Sequence, residues 1–198
     1  RFNIVDFFCG AGGLSCGFTQ EDFKIVLAND HDEECIETYK FNHPEISENK
    51  IILEDIKKII SKLDKLLVDK VDVVVGGPPC QGFSNVNQQR VIDDPRNKLY
   101  KYFIQAVKKI NPKIVVMENV KGMYPYADQI KKDFEDISYI ASYEVLVSDQ
   151  FGVAQKRPRL IFIAIRKDIV NKKKIIIKNI FNEIKINSKN IKKHILRD

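Results

Sequence analysis

Short apolar segments rich in Val and Ile alternate with segments of helical period along most of the chain. That alternation limits the possible folds more than any other feature. Val71-Asp72-Val73-Val74-Val75 is the clearest buried strand, and further strands are expected at 3–8, 23–29, 50–53, 113–118, 142–147 and 160–165. Helices are expected through Phe18 after a glycine turn, and at 33–42, 55–67, 98–110 and 126–137, with a polar loop over 78–97. Strands that alternate with helices build βαβ units, so the fold class is α/β with a mainly parallel sheet and right-handed connections. Ligands of such sheets sit outside the carboxyl ends of the strands. The polar and glycine residues of this sequence gather at those ends: 6–13, Asn29-Asp30, Glu54-Asp55, 76–84 and Glu118-Asn119.

The 198 residues suffice for one domain with its own core, and 44% hydrophobic with 30% charged residues fits a globular chain. Lys or Asp interrupts every Ile/Val stretch, so no membrane span is expected. The first residues read as a strand start rather than a signal peptide. Lys and Arg number 33 against 27 Asp and Glu, and the net charge of +6 permits contact with phosphates. Cys9, Cys16, Cys35 and Cys80 form no C-x-x-C pair, and the chain is too large and Lys-rich for a disulfide scaffold, which points to a reducing, intracellular setting. His31, Cys35 and His43 are too few convergent ligands for zinc, and no metal is expected.

Four motifs carry chemistry. Asp6-Phe7-Phe8-Cys9-Gly10-Ala11-Gly12-Gly13 is a glycine turn between strand and helix, where backbone can approach a ligand closely. Ser15 takes the position of the third glycine of the dinucleotide fingerprint. Asp30 follows at the spacing of an acid that binds ribose hydroxyls, so an adenosine-type cofactor is indicated. Gly76-Gly77-Pro78-Pro79-Cys80-Gln81-Gly82-Phe83-Ser84 delivers a cysteine on a stiff turn, a mount suited to a nucleophile. Met117-Glu118-Asn119-Val120 puts a carboxyl at the next strand end, expected beside Cys80. Gln155-Lys156-Arg157-Pro158-Arg159 offers two guanidinium groups that suit phosphates and base edges. Each motif alone also reads as an ordinary turn, cap or basic surface. Their order is what distinguishes them.

In that order they resemble the DNA (cytosine-5) methyltransferase family, and Asp94-x-Arg96-x-x-Leu99 matches the segment that closes its catalytic loop. The resemblance covers about residues 2–166. It implies a Rossmann-like methyltransferase sheet with helices on both faces, S-adenosyl-L-methionine as cofactor, and double-stranded DNA as partner. By motif, Phe8 would pack on the adenine, and the turn of Gly10, Ala11, Gly12 and Gly13 would face the methionine part. Asp30 would hold the ribose hydroxyls. His31 stands where the family often has a large aromatic residue over the adenine. Asp55 and Ile56 would contact the adenine edge, and Pro79 and Leu99 would line the pocket. Cys80 would attack C6 of cytosine, Glu118 would bind N3 and the exocyclic amine, and Arg159 would contact O2. Arg157, Ser84 and Arg96 would touch phosphates. The base must leave the duplex for this chemistry, and the loop over 83–97 is expected to close on it.

The resemblance also implies a cognate restriction endonuclease as partner and a cytoplasmic location, nuclear in a eukaryote. Residues 1–166 are expected to form the catalytic, cofactor-binding domain. Residues 167–198, rich in Lys and Ile, are expected to be part helix and part loop, leading toward a target-recognition region that the sequence lacks. Without an initiator Met, the chain reads as part of a longer protein. Three alternatives stand beside this reading: the related tRNA cytosine-5 methyltransferases, a non-catalytic fragment or subunit, and a nicotinamide oxidoreductase.

Overall fold

The computed structural model describes residues 1–79, 99–189 and 191. The chain divides into two compact units, Arg1–Met117 and Glu118–Asp198.

In the first unit, β1 (Asn3–Phe7), α1 (Gly13–Gln20), β2 (Lys24–Asp30), α2 (Glu33–Asn42), β3 (Ile51–Leu53), α3 (Ile56–Leu66), β4 (Val73–Gly76), α4 (Leu99–Ile110) and β5 (Ile114–Val120) follow in order. The strands lie in the order β3-β2-β1-β4-β5, all parallel. The chain steps outward from β1 to β3 and then crosses back to β4. The topological switch point therefore lies between β1 and β4. Right-handed crossovers put α1 and α2 on one face and α3 and α4 on the other. In agreement, Leu14 and Phe18 join Ile36 and Tyr39 in one apolar cluster, while α3 packs on α4. Covered on both faces, β1, β2 and β4 are almost wholly buried, which is why they read as unbroken apolar runs.

The register brings the strand ends level. Phe7 pairs with Asn29 and with Gly76, Asp30 pairs with Leu53, and Gly76 pairs with Met117. At the other edge Asp72 ties three strand starts together. Its carboxylate accepts the Asn3 N–H at 3.0 Å and the Lys113 ammonium at 2.5 Å, and its carbonyl accepts the Lys113 and Ile114 N–H groups. Burial alone would raise the Asp72 pKa, but Lys113 and the Asn3 N–H outweigh it and hold the group ionised below its usual range. The strand expected over 71–75 accordingly begins at Val73.

The second unit holds the end of β5, a 3₁₀ stretch (Lys121–Tyr126), α5 (Ala127–Asp136), β6 (Tyr139–Val147), β7 (Pro158–Arg166), α6 (Lys167–Lys173) and α7 (Ile177–Ser188). β6 and β7 pair antiparallel from Tyr139 with Arg166 to Val147 with Pro158, so β6 starts three residues before the expected Ser142. Phe162 anchors this hairpin between Phe134 and Tyr143, with ring centroids 6.5 and 5.4 Å away. The Lys-rich segment after Arg166 is more helical than its composition announces. Val170, Ile177 and Phe181 are buried, so both helices present an apolar side. No helix among the described residues is long and apolar enough to cross a membrane.

Gly76 marks the tightest packing. A Cβ there would overlap the Phe7 carbonyl oxygen and come within 2.8 Å of the Phe103 ring. Gly76→Ala is expected to destabilise the protein by about 1–3 kcal/mol, the usual cost of overpacking. Urea denaturation measures this, and an unchanged midpoint would mean that Phe103 and β1 yield freely.

Candidate active site

The first unit builds a cup at the carboxyl ends of its strands. β1 delivers the glycine turn through three left-handed residues, Phe8 at φ 56°, Gly10 at φ 52° and Gly12 at φ 93°. For Phe8 this conformation is uncommon and costs energy. The Cys9 N–H donates to the Asn29 carbonyl at 3.1 Å, and the Gly10 N–H to Asp30 Oδ2 at 2.9 Å. Asp30 Oδ1 accepts the N–H groups of His31 and Asp32 at 2.7 and 3.1 Å, and His31 Nδ1 lies 3.2 Å away. The carboxylate, 10% exposed, is thus fixed by backbone donors at the rim of the cup. An added Cβ at Gly10 or Gly13 would meet nothing within 4 Å, so the turn is open on that side. An immobilised carboxylate for a ribose diol beside an open glycine face fits an adenosine-type ligand.

The neighbouring strand end is less free than its sequence suggests. Asp55 caps α3, accepting the Lys57 N–H at 2.7 Å. The Ile56 side chain is buried, so it would reach a ligand only through its backbone N–H at the first helical position. Glu54, held by Lys62, Lys58 and the Asp55 N–H, has its pKa lowered to about 2. Asn29 braces this edge, donating to the carbonyls of Ile52 and Glu54 at 2.9 and 2.8 Å. Pro79 and Leu99, both half-buried, flank the segment 80–98. Cys80, Ser84 and Arg96 lie outside the described residues. His31 precedes α2, whose N-cap is Asp32, and so shares no helix face with Cys35. Among the described residues no group of three or more His, Cys, Asp or Glu could hold a metal ion. A cleft of about 510 Å³, lined by residues such as Asp22, Lys24, Ile46 and Asp69, opens near the strand starts, away from this cup.

Beneath the turn lies a polar network that the sequence did not announce. Asp6 is fully buried. Ser15 donates to Asp6 Oδ2 at 2.7 Å, and the Tyr39 hydroxyl donates to Ser15 Oγ at 2.7 Å. Ser15 therefore replaces the expected glycine with a strut. Burial pushes the Asp6 pKa up to about 7, against the lowering effect of the Ser15 bond. Burial likewise drives the Cys9 thiol up, away from thiolate chemistry.

The second unit contributes a carboxylate–guanidinium pair. Arg159 Nε lies 2.5 Å from Glu118 Oε1, both side chains being only partly exposed, and Arg159 Nη1 donates to the Pro158 carbonyl at 2.9 Å. Arg157 precedes β7 and is exposed, and its N–H donates to Ser148 Oγ at 3.2 Å. Among the described candidates, then, the structure joins Gly10 with Asp30 and His31, and Glu118 with Arg159.

Residues 2–198 match the family model for C-5 cytosine-specific DNA methylases. The chain belongs to that family. It is 39% identical over 171 residues to the Type II methyltransferase M.FnuDI of Fusobacterium nucleatum, covering 84% of this chain and 47% of the relative. With M.AgeI of Thalassovita gelatinovora it shares 42% identity over 164 residues, 79% of this chain and 38% of the relative. The chain thus spans less than half the length of either. Among solved structures it is similar to a candidate DNA modification methyltransferase encoded within an Escherichia coli prophage, with a TM-score of 0.71 and 30% identity over 85% of this chain and 48% of the other. A DNMT2 structure from Spodoptera frugiperda gives a TM-score of 0.68 at 25% identity, covering 85% of this chain and 51% of that one.

The Asp6 network makes a prediction with a definite sign. Between the ordinary carboxylate pKa of 3.8 and about 7, the folded state keeps a proton that the unfolded state has released. Stability therefore falls as pH rises across this window and levels off above it. Asp6→Asn keeps an acceptor for Ser15 and removes the titration. Urea denaturation at pH 4, 5.5 and 7.5 should show a flatter pH profile for the variant, and parallel profiles would remove Asp6 as the cause.

Proposed function

We propose that the protein containing this chain transfers a methyl group from S-adenosyl-L-methionine to C5 of cytosine in double-stranded DNA. The observation that carries this reading is the Glu118–Arg159 pair. A carboxyl group beside a guanidinium matches one edge of a cytosine: Glu118 meets N3 and the exocyclic amine, and Arg159 meets O2. Family membership and the Type II methyltransferases among the relatives support DNA as substrate and a cognate restriction endonuclease as partner.

Cytosine C5 is a poor nucleophile. Cys80, as thiolate, adds to C6 of a base flipped out of the duplex, and Glu118 and Arg159 stabilise the electron-rich ring that results. When bound, S-adenosylmethionine supplies the electrophilic methyl group. Loss of the C5 proton to a base then restores the C5–C6 double bond and expels Cys80 as thiolate. In the cup, Asp30 holds the ribose hydroxyls, Phe8 and His31 cover the adenine, and Asp55 with the Ile56 N–H reads its edge. The glycine turn lies along the methionine part, while Pro79 and Leu99 line the pocket. Ser84, Arg96 and Arg157 hold phosphates.

Removing Asp30 leaves the ribose hydroxyls without a charged partner. Asp30→Ala should weaken S-adenosylhomocysteine binding about ten- to a hundredfold, the range for a lost charge-assisted hydrogen bond. Calorimetry on the intact, folded variant measures this, and unchanged affinity would remove Asp30 from the cofactor site.

A target cytosine carrying fluorine at C5 has no proton to lose there. In the intact enzyme, methyl transfer should strand Cys80 on duplex DNA as an adduct that needs the cofactor and survives denaturing electrophoresis. Cys80→Ala should abolish the adduct, and Glu118→Gln should slow its formation. An adduct mapped to Cys9, Cys16 or Cys35, or one formed with tRNA in place of DNA, would overturn the assignment.

A further inference from the structure

Helix α1 starts without help from its own sequence. Its N-cap is Gly12, in the left-handed region, and no side chain caps the first turn. The anchoring comes from the last turn of α2. Asn42 Nδ2 donates to the Ala11 carbonyl at 2.8 Å. His43, 3% exposed, places Nε2 at 3.0 Å from the Gly12 carbonyl, and because a carbonyl only accepts, that nitrogen is the donor in this contact. His43 Nδ1 lies 3.1 Å from Glu45 Oε1, and the Tyr39 ring lies against the imidazole with centroids 4.6 Å apart. The fit is close: a Cβ at Gly12 would collide with the His43 ring and press on Tyr39.

The consequence lies on the far side of the peptide. In a trans peptide the C=O and N–H point in opposite directions. Drawing the Gly12 carbonyl inward, toward His43 and the Cys16 N–H, turns the Gly13 N–H the opposite way, and the residue that carries it has open space about its own Cα, where an added Cβ meets nothing. Gly13 is the first residue of α1, so its N–H is one of the four that a helix leaves without an internal acceptor. A negatively charged acceptor is favoured at that point.

We propose that His43, assisted by Asn42, is a positioning residue for the cofactor. Acting through the Gly12 peptide, it aims the Gly13 N–H at the carboxylate of the amino-acid tail. This rests on the cofactor reading above and adds the residues that set selectivity for the tail. Neither side chain touches the ligand itself.

Two probes separate this role from a general effect on folding: S-adenosylhomocysteine, and its decarboxylated analogue with the same nucleoside but no carboxylate. Calorimetry on the intact protein gives both affinities. His43→Leu is expected to weaken S-adenosylhomocysteine about tenfold, as for one charge-assisted hydrogen bond, and to change the analogue less than about twofold. His43→Gln, which restores a donor toward Gly12, should recover most of the loss. Asn42→Ala removes a surface donor, opens no buried cavity, and should give a smaller loss of the same selective kind, which also covers a His43→Leu protein that fails to fold. Equal losses for both ligands, or no loss in any variant, would overturn the proposal. Failure of the unsubstituted protein to bind S-adenosylhomocysteine would instead overturn the cofactor reading.

Discussion

The hydrogen bond from the Gly10 N–H to the Asp30 carboxylate ties the turn after β1 to the end of β2, and the cup depends on it. It forms because the parallel register sets Phe7 beside Asn29, which brings the two chain segments out of the sheet at the same level. From there the bonds spread outward. Asp30 also gathers the His31 and Asp32 N–H groups, its carbonyl takes the Glu54 N–H at 2.9 Å, and Asn29 pins the edge of β3. A carboxylate that accepts several backbone donors has little freedom left. For the proposed cofactor role, the entropy of fixing this carboxylate would be met in folding rather than in binding.

Rigidity above is matched by polarity below. Burying a carboxyl group as deeply as Asp6 is unfavourable unless it is bonded or neutral, and here both remedies operate. Ser15 and Tyr39 form a chain of hydroxyl donors to one oxygen, and the raised pKa leaves the other free to carry a proton near neutrality. The same elements hold the glycine turn from beneath. The helix that follows the turn is short, at eight residues, and its conformation is imposed by these tertiary bonds more than by its own propensity.

Most of the architecture was legible because its causes are local in sequence. The strands buried on both faces announced themselves as Val and Ile runs, and α3 and α4 by apolar residues at helical spacing, Ile56, Ile59 and Leu63 in one, Tyr100, Phe103, Ile104 and Val107 in the other. Asp30 and the glycine turn could be singled out because they stand at strand ends, and Glu118 because it lies close to one, β5 running on to Val120. What stayed hidden depends on contacts between distant residues. Ser15 looked like a broken fingerprint until its bond to Asp6 was seen, and Asn42 and His43 looked like a helix end. The contact between Glu118 and Arg159 joins residues 41 positions apart, and no local pattern encodes it. In the Lys-rich segment after Arg166, Ile177 and Phe181 supplied the buried side of a helix that its composition obscured.

The Glu118–Arg159 pair also has a meaning for the protein at rest. Two opposite charges, both only partly exposed, already hold each other through one short contact, so a solute that approaches either must compete with it. A ring that inserts between them must break that bond before it gains any. One that presents a donor to the carboxylate and an acceptor to the guanidinium exchanges one set of bonds for another at little net cost. One that presents only half of that pattern strands a charge, at a penalty on the order of 1–3 kcal/mol or more. On the proposed function, the ion pair would hold the place of the correct base, and a wrong base would be disfavoured by the bonds it fails to replace.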